Sequence, residues 1–159
     1  MKKFGFILLL CAFAVATQAA DVRKGNLAFN IVSKRYHIAE ATYLPQEESV
    51  NLQKAVIPSH FWYKARRYKV SVIGNGAFGG CWKLRYVQIP ATVTALGKGA
   101  FAWCINLEEI ELPEGICVIA EDAFSSCPNL KAVYVPQGHK QRIQDLLPKE
   151  LRYLVKEKG

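Results

Sequence analysis

Between residues 77 and 136, hydrophobic and polar positions repeat in the same order every 23 residues. The first copy places apolar residues at Ala77, Phe78, Cys81, Leu84, Val87, Ile89, Val93 and Leu96, with Pro90 following Ile89. The second has Ala100, Phe101, Cys104, Leu107, Ile110, Leu112, Ile116 and Ile119, with Pro113 in the same place. The third runs Ala123, Phe124, Cys127, Leu130, Val133 and Val135 up to Pro136, where the pattern stops. A fixed period in the twenties with apolar residues at fixed offsets predicts a stacked solenoid, since one coil of this length cannot bury its own apolar face.

Each copy divides into three predicted elements. Val87 and Ile89, two apart, point to one face of a short strand, while Tyr86 and Gln88 point to the other. Pro90 ends that strand because it has no N–H for the ladder. Val93 and Leu96 suit a second short strand or tight turn, with Gly74 and Gly97 suiting a bend after it. Ala-Phe-x-x-Cys reads as one helical or 3₁₀ turn with Phe and Cys facing the core. Stacking then aligns Phe78, Phe101 and Phe124 in one column and Cys81, Cys104 and Cys127 in another.

The flanks have different periodicity. "NLAFNIVS" and "YHIAEATY" alternate within residues 26–44 and predict a hairpin joined near Lys34-Arg35, followed by a loop at Pro45–Ser49. A second hairpin is expected from about Ala55 to Ile73, with its turn at Ala65-Arg66. After Pro136, Ile143, Leu146 and Leu147 fall on one helical face, and "KELRYLVKE" supplies a further helical turn or a closing strand. The expected architecture is mainly β with short helical turns: about three and a half coils (77–99, 100–122, 123–136), a β-hairpin cap over 20–76 and a helical cap over 137–159.

The stretch "VSVIGNGAFGGCWKLRYVQIPATVTALGKGAFAWCINLEEIELPEGICVIAEDAFSSCPNLKAVYVP" closely resembles the BspA-like leucine-rich repeats of bacterial surface and secreted proteins. The hairpin that precedes it also resembles the entry such proteins carry before their first repeat, although family members often have glycine where this chain has Ala65-Arg66. The resemblance implies a cell-surface or extracellular binding role, and carries no catalytic residues to transfer.

Lys2-Lys3, the apolar run Phe4–Ala16 and the small residues Thr17 and Ala19 predict a secretory signal peptide over residues 1–19. Its apolar run is too short to span a bilayer comfortably, and no later segment approaches that length, so the mature chain is expected to have no membrane span. Export raises the question of Cys81, Cys104, Cys117 and Cys127, an even set that permits disulfides. Column geometry favours free buried thiols, because parallel side chains on adjacent coils aim poorly at one another.

Net charge is +8 for the whole chain and +6 without Lys2 and Lys3. It divides into +5 over 20–76, −2 over 77–136 and +3 over 137–159. Basic ends around an acidic middle do not form one nucleic-acid groove, so no nucleic-acid partner is expected. No cofactor or metal site is expected: His37, His60 and His139 stand at no ligand or catalytic spacing, and Glu108 and Glu109, being adjacent, point to opposite faces of a strand. The chain is expected to be a non-catalytic monomer.

Two surfaces are candidates for binding a protein or glycan ligand. On the outward strand face stand Tyr86 and Gln88, Glu109 and Glu111, and Ala132 and Tyr134, with Arg85, Glu108 and Lys131 just before them. A solenoid presents ligands to its strand-lined side, although an ordinary solvated sheet face has the same composition. The second surface is "HFWYKARRYK", residues 60–69, where aromatics alternate with Arg66, Arg67 and Lys69. It suits a sulfated or acidic glycan, or serves only as a cap hairpin with rings inward and charges outward. Trp82 and Trp103, at different offsets, are expected to pack between coils, with exposure and glycan contact as the alternative.

Overall fold

A computed structural model describes residues 20–42 and 51–159. The expected signal peptide and the Pro45–Ser49 loop lie outside the described residues.

Three antiparallel strands open the described chain: β1 (Val22–Lys24), β2 (Leu27–Ser33) and β3 (Ile38–Thr42). β2 and β3 form the hairpin expected from their alternation; β1 was not apparent in the sequence. Next come β4 (Lys54–Val56), β5 (His60–Tyr63) and β6 (Arg66–Ile73). The repeats contribute β7 (Tyr86–Gln88), β8 (Ala95–Leu96), β9 (Glu109–Glu111), β10 (Val118–Ile119) and β11 (Ala132–Pro136). Helix α1 (Lys140–Leu146), a 3₁₀ helix over Lys149–Leu154 and β12 (Val155–Lys158) close the chain.

The strands form two sheets. One is wholly parallel, in the order β12-β11-β9-β7-β4. Its repeat strands pair in register at the sequence period: Tyr86 with Glu109, Glu109 with Ala132. The parallel ladder begins before Ala77, because Lys54, Ala55 and Val56 pair with Tyr86, Val87 and Gln88. It also runs past Pro136, where β12 pairs with β11. The second sheet runs β1-β2-β3-β6-β8-β10, with β5 on β6, and its last links β3-β6-β8-β10 are parallel.

A third side is made of turns. Cys81 N–H closes on Phe78 O and Cys104 N–H on Phe101 O within one coil. Alternate donors cross to the next coil: Phe78 N–H to Ala100 O, Gly80 to Ala102, Phe101 to Ala123 and Trp103 to Ser125, each at 2.8 Å. Backbone groups in an irregular segment are thus satisfied between coils as in a sheet. Gly97 serves close approach as much as bending, since a Cβ there would stand 2.5 Å from Asn75 Oδ1 and 2.8 Å from Asn75 N.

The space inside is filled by the predicted columns, including Leu84, Leu107 and Leu130, and Val87, Ile110 and Val133, all buried. Phe78, Phe101 and Phe124 stack with centroids 5.3 and 5.6 Å apart. Cys81, Cys104 and Cys127 are buried and Cys117 is exposed. Cys104 and Cys127 donate to Phe78 O and Phe101 O, each at 3.1 Å. At the C-terminal end, Ile143 in α1 and Leu147, in extended backbone just past it, are buried, whereas Leu146 is half-buried. Arg142 donates to Ile116 O and Glu114 O, which binds α1 to the preceding turn.

The two tryptophans depart from expectation. Trp82 is 43% and Trp103 66% exposed. Neither packs between coils: both project from the turn side, and Trp103 sits where the backbone is left-handed, as it is at Gly80 and Ser126. Among the described residues no helix is long and apolar enough to cross a membrane.

Candidate functional site

Because β-strand side chains alternate, burying Val87, Ile110 and Val133 sends their neighbours outward. One outward column runs Lys54, Tyr86, Glu109, Ala132; the next runs Val56, Gln88, Glu111, Tyr134, Lys156. Gln88 and Val56 are exposed and Tyr86, Glu109, Glu111 and Tyr134 half-buried, whereas Ala132, expected on this open face, is only 1% exposed. Its short side chain lies below the level of the longer groups on either side.

Glu111 is the hub of this face. Its Oε1 accepts from Tyr86 Oη at 2.6 Å and from Lys158 Nζ at 2.5 Å, and its Oε2 accepts from Gln88 Nε2 at 3.2 Å. Lys54 Nζ sits 4.8 Å from the centroid of the Tyr86 ring, within cation–π range. One position earlier, Arg85 donates to Glu108 at 2.9 and 2.7 Å, and Lys131 approaches the same carboxylate at 3.4 Å.

The charges settle accordingly. Burial pushes the Tyr86 phenol up, the hydrogen bond and charge of Glu111 and the charge of Glu109 push it further, and it reaches about 12. Burial would raise the Glu111 carboxyl, but hydrogen bonds from Lys158 and Tyr86, with the Lys158 charge, hold it below its ordinary value. Lys158 is raised by its bond to Glu111. Glu108 is lowered chiefly by Arg85.

At the edge of this network lies a cleft of about 400 Å³ whose walls include Ile89, Glu111, Leu112, Tyr134, Pro136 and Lys158. The arrangement offers a fixed set of ring faces, donors and acceptors beside an apolar recess. Among the described residues, no three His, Cys, Asp or Glu side chains gather in a way that could hold a metal ion.

The second candidate surface is split by the hairpin register. Pairing of Tyr63 with Arg66 leaves Lys64-Ala65 as the two turn residues, one position before the expected turn. Phe61 pairs with Tyr68 and both are buried, stacking at 5.9 Å. Trp62, 63% exposed, pairs with Arg67, and His60 pairs with Lys69 on the same outer face. Burial and then the Arg67 and Lys69 charges lower the His60 imidazole. Arg66 lies on the other face with Tyr63, its Nη1 3.5 Å from His37 Nε2. The three cations grouped by the sequence therefore divide: Arg67 and Lys69 share a surface with an exposed indole, and Arg66 does not.

Lys54 and Lys158 are the site residues that sequence reasoning missed. A signal for Lys54 exists, because Leu52-x-x-Ala55-x-Ile57-Pro58 repeats the spacing of Leu84-x-x-Val87-x-Ile89-Pro90 and puts Lys54 in the Tyr86 column. Lys158 has no such marker.

Among curated proteins, none matches the chain. Solved structures do. A leucine-rich repeat protein from Bacteroides capillosus superposes with a TM-score of 0.70 at 27% identity, covering 87% of this chain and 98% of its own. One from Bacteroides ovatus superposes with a TM-score of 0.64 at 30% identity over 72% of this chain, which spans 31% of that protein's length. The T. pallidum leucine-rich repeat protein shares the fold, with a TM-score of 0.58 at 23% identity over 72% of this chain and 52% of its own. Residues 48–146 match the BspA type leucine rich repeat region in six copies, reaching back past Ala77 to take in β4. The parallel register, the buried columns and this match together place the chain in the BspA-type leucine-rich-repeat family.

Proposed function

We propose that the chain is an exported, non-catalytic recognition module that binds a protein partner through the outer face of its five-stranded sheet. The observation that carries this reading is the Tyr86–Glu111–Lys158 network beside Tyr134 and the 400 Å³ cleft. The network holds polar groups in place before a partner arrives, which reduces the ordering cost of binding. Tyrosines flanked by charges are the side chains that recur at interface hot spots. Five strands spaced roughly 4.8 Å apart span about 20 Å, so an interface of about 800 Å² per partner also takes in the flanking turns.

In this reading residues 51–73 are the first coil, with the β5–β6 hairpin inserted in it, and residues 20–42 and 137–159 cover the two ends of a monomeric stack. Residues 1–19 direct export to the periplasm, cell surface or medium. Three donors hold the Glu111 carboxylate in fixed hydrogen bonds, so the face supports recognition rather than proton transfer.

Affinity capture from envelope and host-surface extracts tests the proposal. Proteins retained by the wild type should be lost with Glu109→Arg/Tyr134→Ala; identical capture by that variant would overturn it.

A second reading rests on Trp62, Arg67 and Lys69, an exposed ring with two cations on one face, as a site for an acidic or sulfated glycan. Retention on heparin should fall with Arg67→Gln/Lys69→Gln and be unchanged with Arg66→Gln. Silence in both assays would leave an envelope structural role without a dedicated ligand.

A further inference from the structure

The turn side carries exposed apolar groups that the core does not use. Trp82, Ile105 and Pro128 occupy one offset in three successive copies. Trp82 and Ile105 are 43% and 41% exposed. Two residues earlier, Gly80, Trp103 and Ser126 share a left-handed backbone with φ of 74°, 62° and 57°. Glycine adopts that conformation freely, whereas a bulky residue there is an outlier of the kind that clusters at ligand sites. Trp103 is 66% exposed, so burial of its ring does not offset the strain.

Beside Trp103 lies a cleft of about 540 Å³, between the third Phe-Cys turn and the segment at Pro148–Leu151. Trp103, Ile105, Pro128 and Leu151 make its walls apolar. Glu121 and Glu150 are its only charged residues, and neither has an ion-pair or hydrogen-bond partner among the described residues. The rim is held in place: Asn106 Nδ2 donates to Trp82 O at 2.7 Å and Asn129 Nδ2 to Ile105 O at 2.8 Å.

We propose that this groove binds a basic peptide segment of a partner protein, with an arginine or lysine side chain against the Trp103 ring and an adjoining apolar residue on Ile105 and Pro128. A cation is attracted both by the indole face and by two carboxylates that have no other counter-charge. Arginine suits the site best, because its planar guanidinium can stack on the ring while donating to a carboxylate. Such a volume accommodates one or two side chains of an extended segment rather than a folded surface. The same carboxylates repel an acidic glycan. Neither Tyr86 nor Tyr134 lines this groove, so it is a separate surface from the sheet face.

The test follows the emission of Trp103. A Trp62→Phe/Trp82→Phe protein keeps it as the single indole of the three in the chain. The probe is the acetylated, amidated hexapeptide Gly-Arg-Leu-Arg-Leu-Gly, with a version carrying Glu for Arg as control. The Arg peptide should change the emission saturably at millimolar concentration or below, and the Glu peptide should not. Affinity, read by calorimetry where the indole is absent, should fall roughly tenfold in Glu121→Gln/Glu150→Gln and in Trp103→Gly. Both variants should melt no lower than the parent, which separates lost binding from lost fold. No saturable change, undiminished affinity in Glu121→Gln/Glu150→Gln, or an equal response to the Glu peptide or to heparin would overturn the proposal.

Discussion

The rings of Phe78 and Phe101 lie 5.3 Å apart, centroid to centroid, and 5° from parallel. Phe124 continues the stack at 5.6 Å and 6°, so of these three rings only that of Phe101 is stacked on both sides. It is 0% exposed, and the Cys127 thiol donates to its carbonyl. Phe101→Ala should therefore cost about 3–5 kcal/mol, the range for deleting a buried ring whose surroundings collapse only in part. Phe124→Ala should cost less, because Phe124 has one stacked neighbour. Urea denaturation of the two variants checks both the size and the order.

The thiol column should make the protein sensitive to alkali. Burial pushes Cys127 up from 9.0 to about 11, and Cys104 is raised further by burial and by its neighbours Cys81 and Cys127. These thiols hold their protons more tightly folded than unfolded. Their contribution is thus complete below pH 9 and is lost as pH rises towards 11 and beyond. Each group adds a slope of about 1.4 kcal/mol per pH unit while it titrates only in the unfolded chain. The urea midpoint should fall from pH 9 to 11, and Cys127→Ala should make that fall shallower. At neutral pH, iodoacetamide should modify Cys117 in the folded protein and reach Cys81, Cys104 and Cys127 only after unfolding.

How much of this was legible in the sequence depends on whether a residue repeats. Phe78, Phe101 and Phe124 share an offset, so their stacking followed from counting. The stacked solenoid and the outward columns followed with it, and the family from the resemblance of the repeated sequence itself. Residues 51–73 were harder, because the inserted hairpin spaces Leu52 from Leu84 by 32 residues instead of 23, and Ala55 stands where the other copies have valine or isoleucine. β12 pairs Val155 with Val133, but its sequence lacks the Leu-x-x-Val-x-Ile spacing. The Tyr86–Glu111 bond joins residues on adjacent strands that are not register partners, since Tyr86 pairs with Glu109. Side-chain length and direction decide such a contact, and periodicity carries neither. Trp103 was misread for a related reason: its offset is known, but the left-handed backbone that turns it outward is a property of the fold.

Glu111 should give the protein an acid limb. Although burial opposes it, the bonds from Lys158 and Tyr86 hold this carboxyl below 4.5 in the folded state. Its contribution is present above pH 4.5 and disappears as pH falls through the lowered value. Lys158→Ala should raise the Glu111 titration midpoint, measured by carboxyl carbon NMR, and Glu111→Gln should flatten the urea midpoint between pH 5 and 3. Tyr86→Phe removes a hydrogen bond to a charged acceptor and should cost roughly 1–2 kcal/mol at neutral pH. Glu108, although also lowered, lies on the open surface with Arg85 and Lys131, and its substitution should change stability little.

The β5–β6 turn offers a gain in stability. Lys64 and Ala65 both have positive φ, 47° and 58°, the pattern of a two-residue type I′ turn, where asparagine followed by glycine is favoured. Lys64 and Ala65 are exposed, so replacing them removes no core contact. Lys64→Asn/Ala65→Gly relieves two left-handed residues of their side-chain strain, offset in part by the greater unfolded-state freedom of glycine. The variant should be more stable by about 1 kcal/mol, which for a chain of this length raises the melting temperature by a few degrees. The register Tyr63–Arg66 is kept, so retention on heparin should be affected only by the lost Lys64 charge. A melting temperature equal to or below that of the wild type would mean that this turn is not the two-residue type its backbone angles describe.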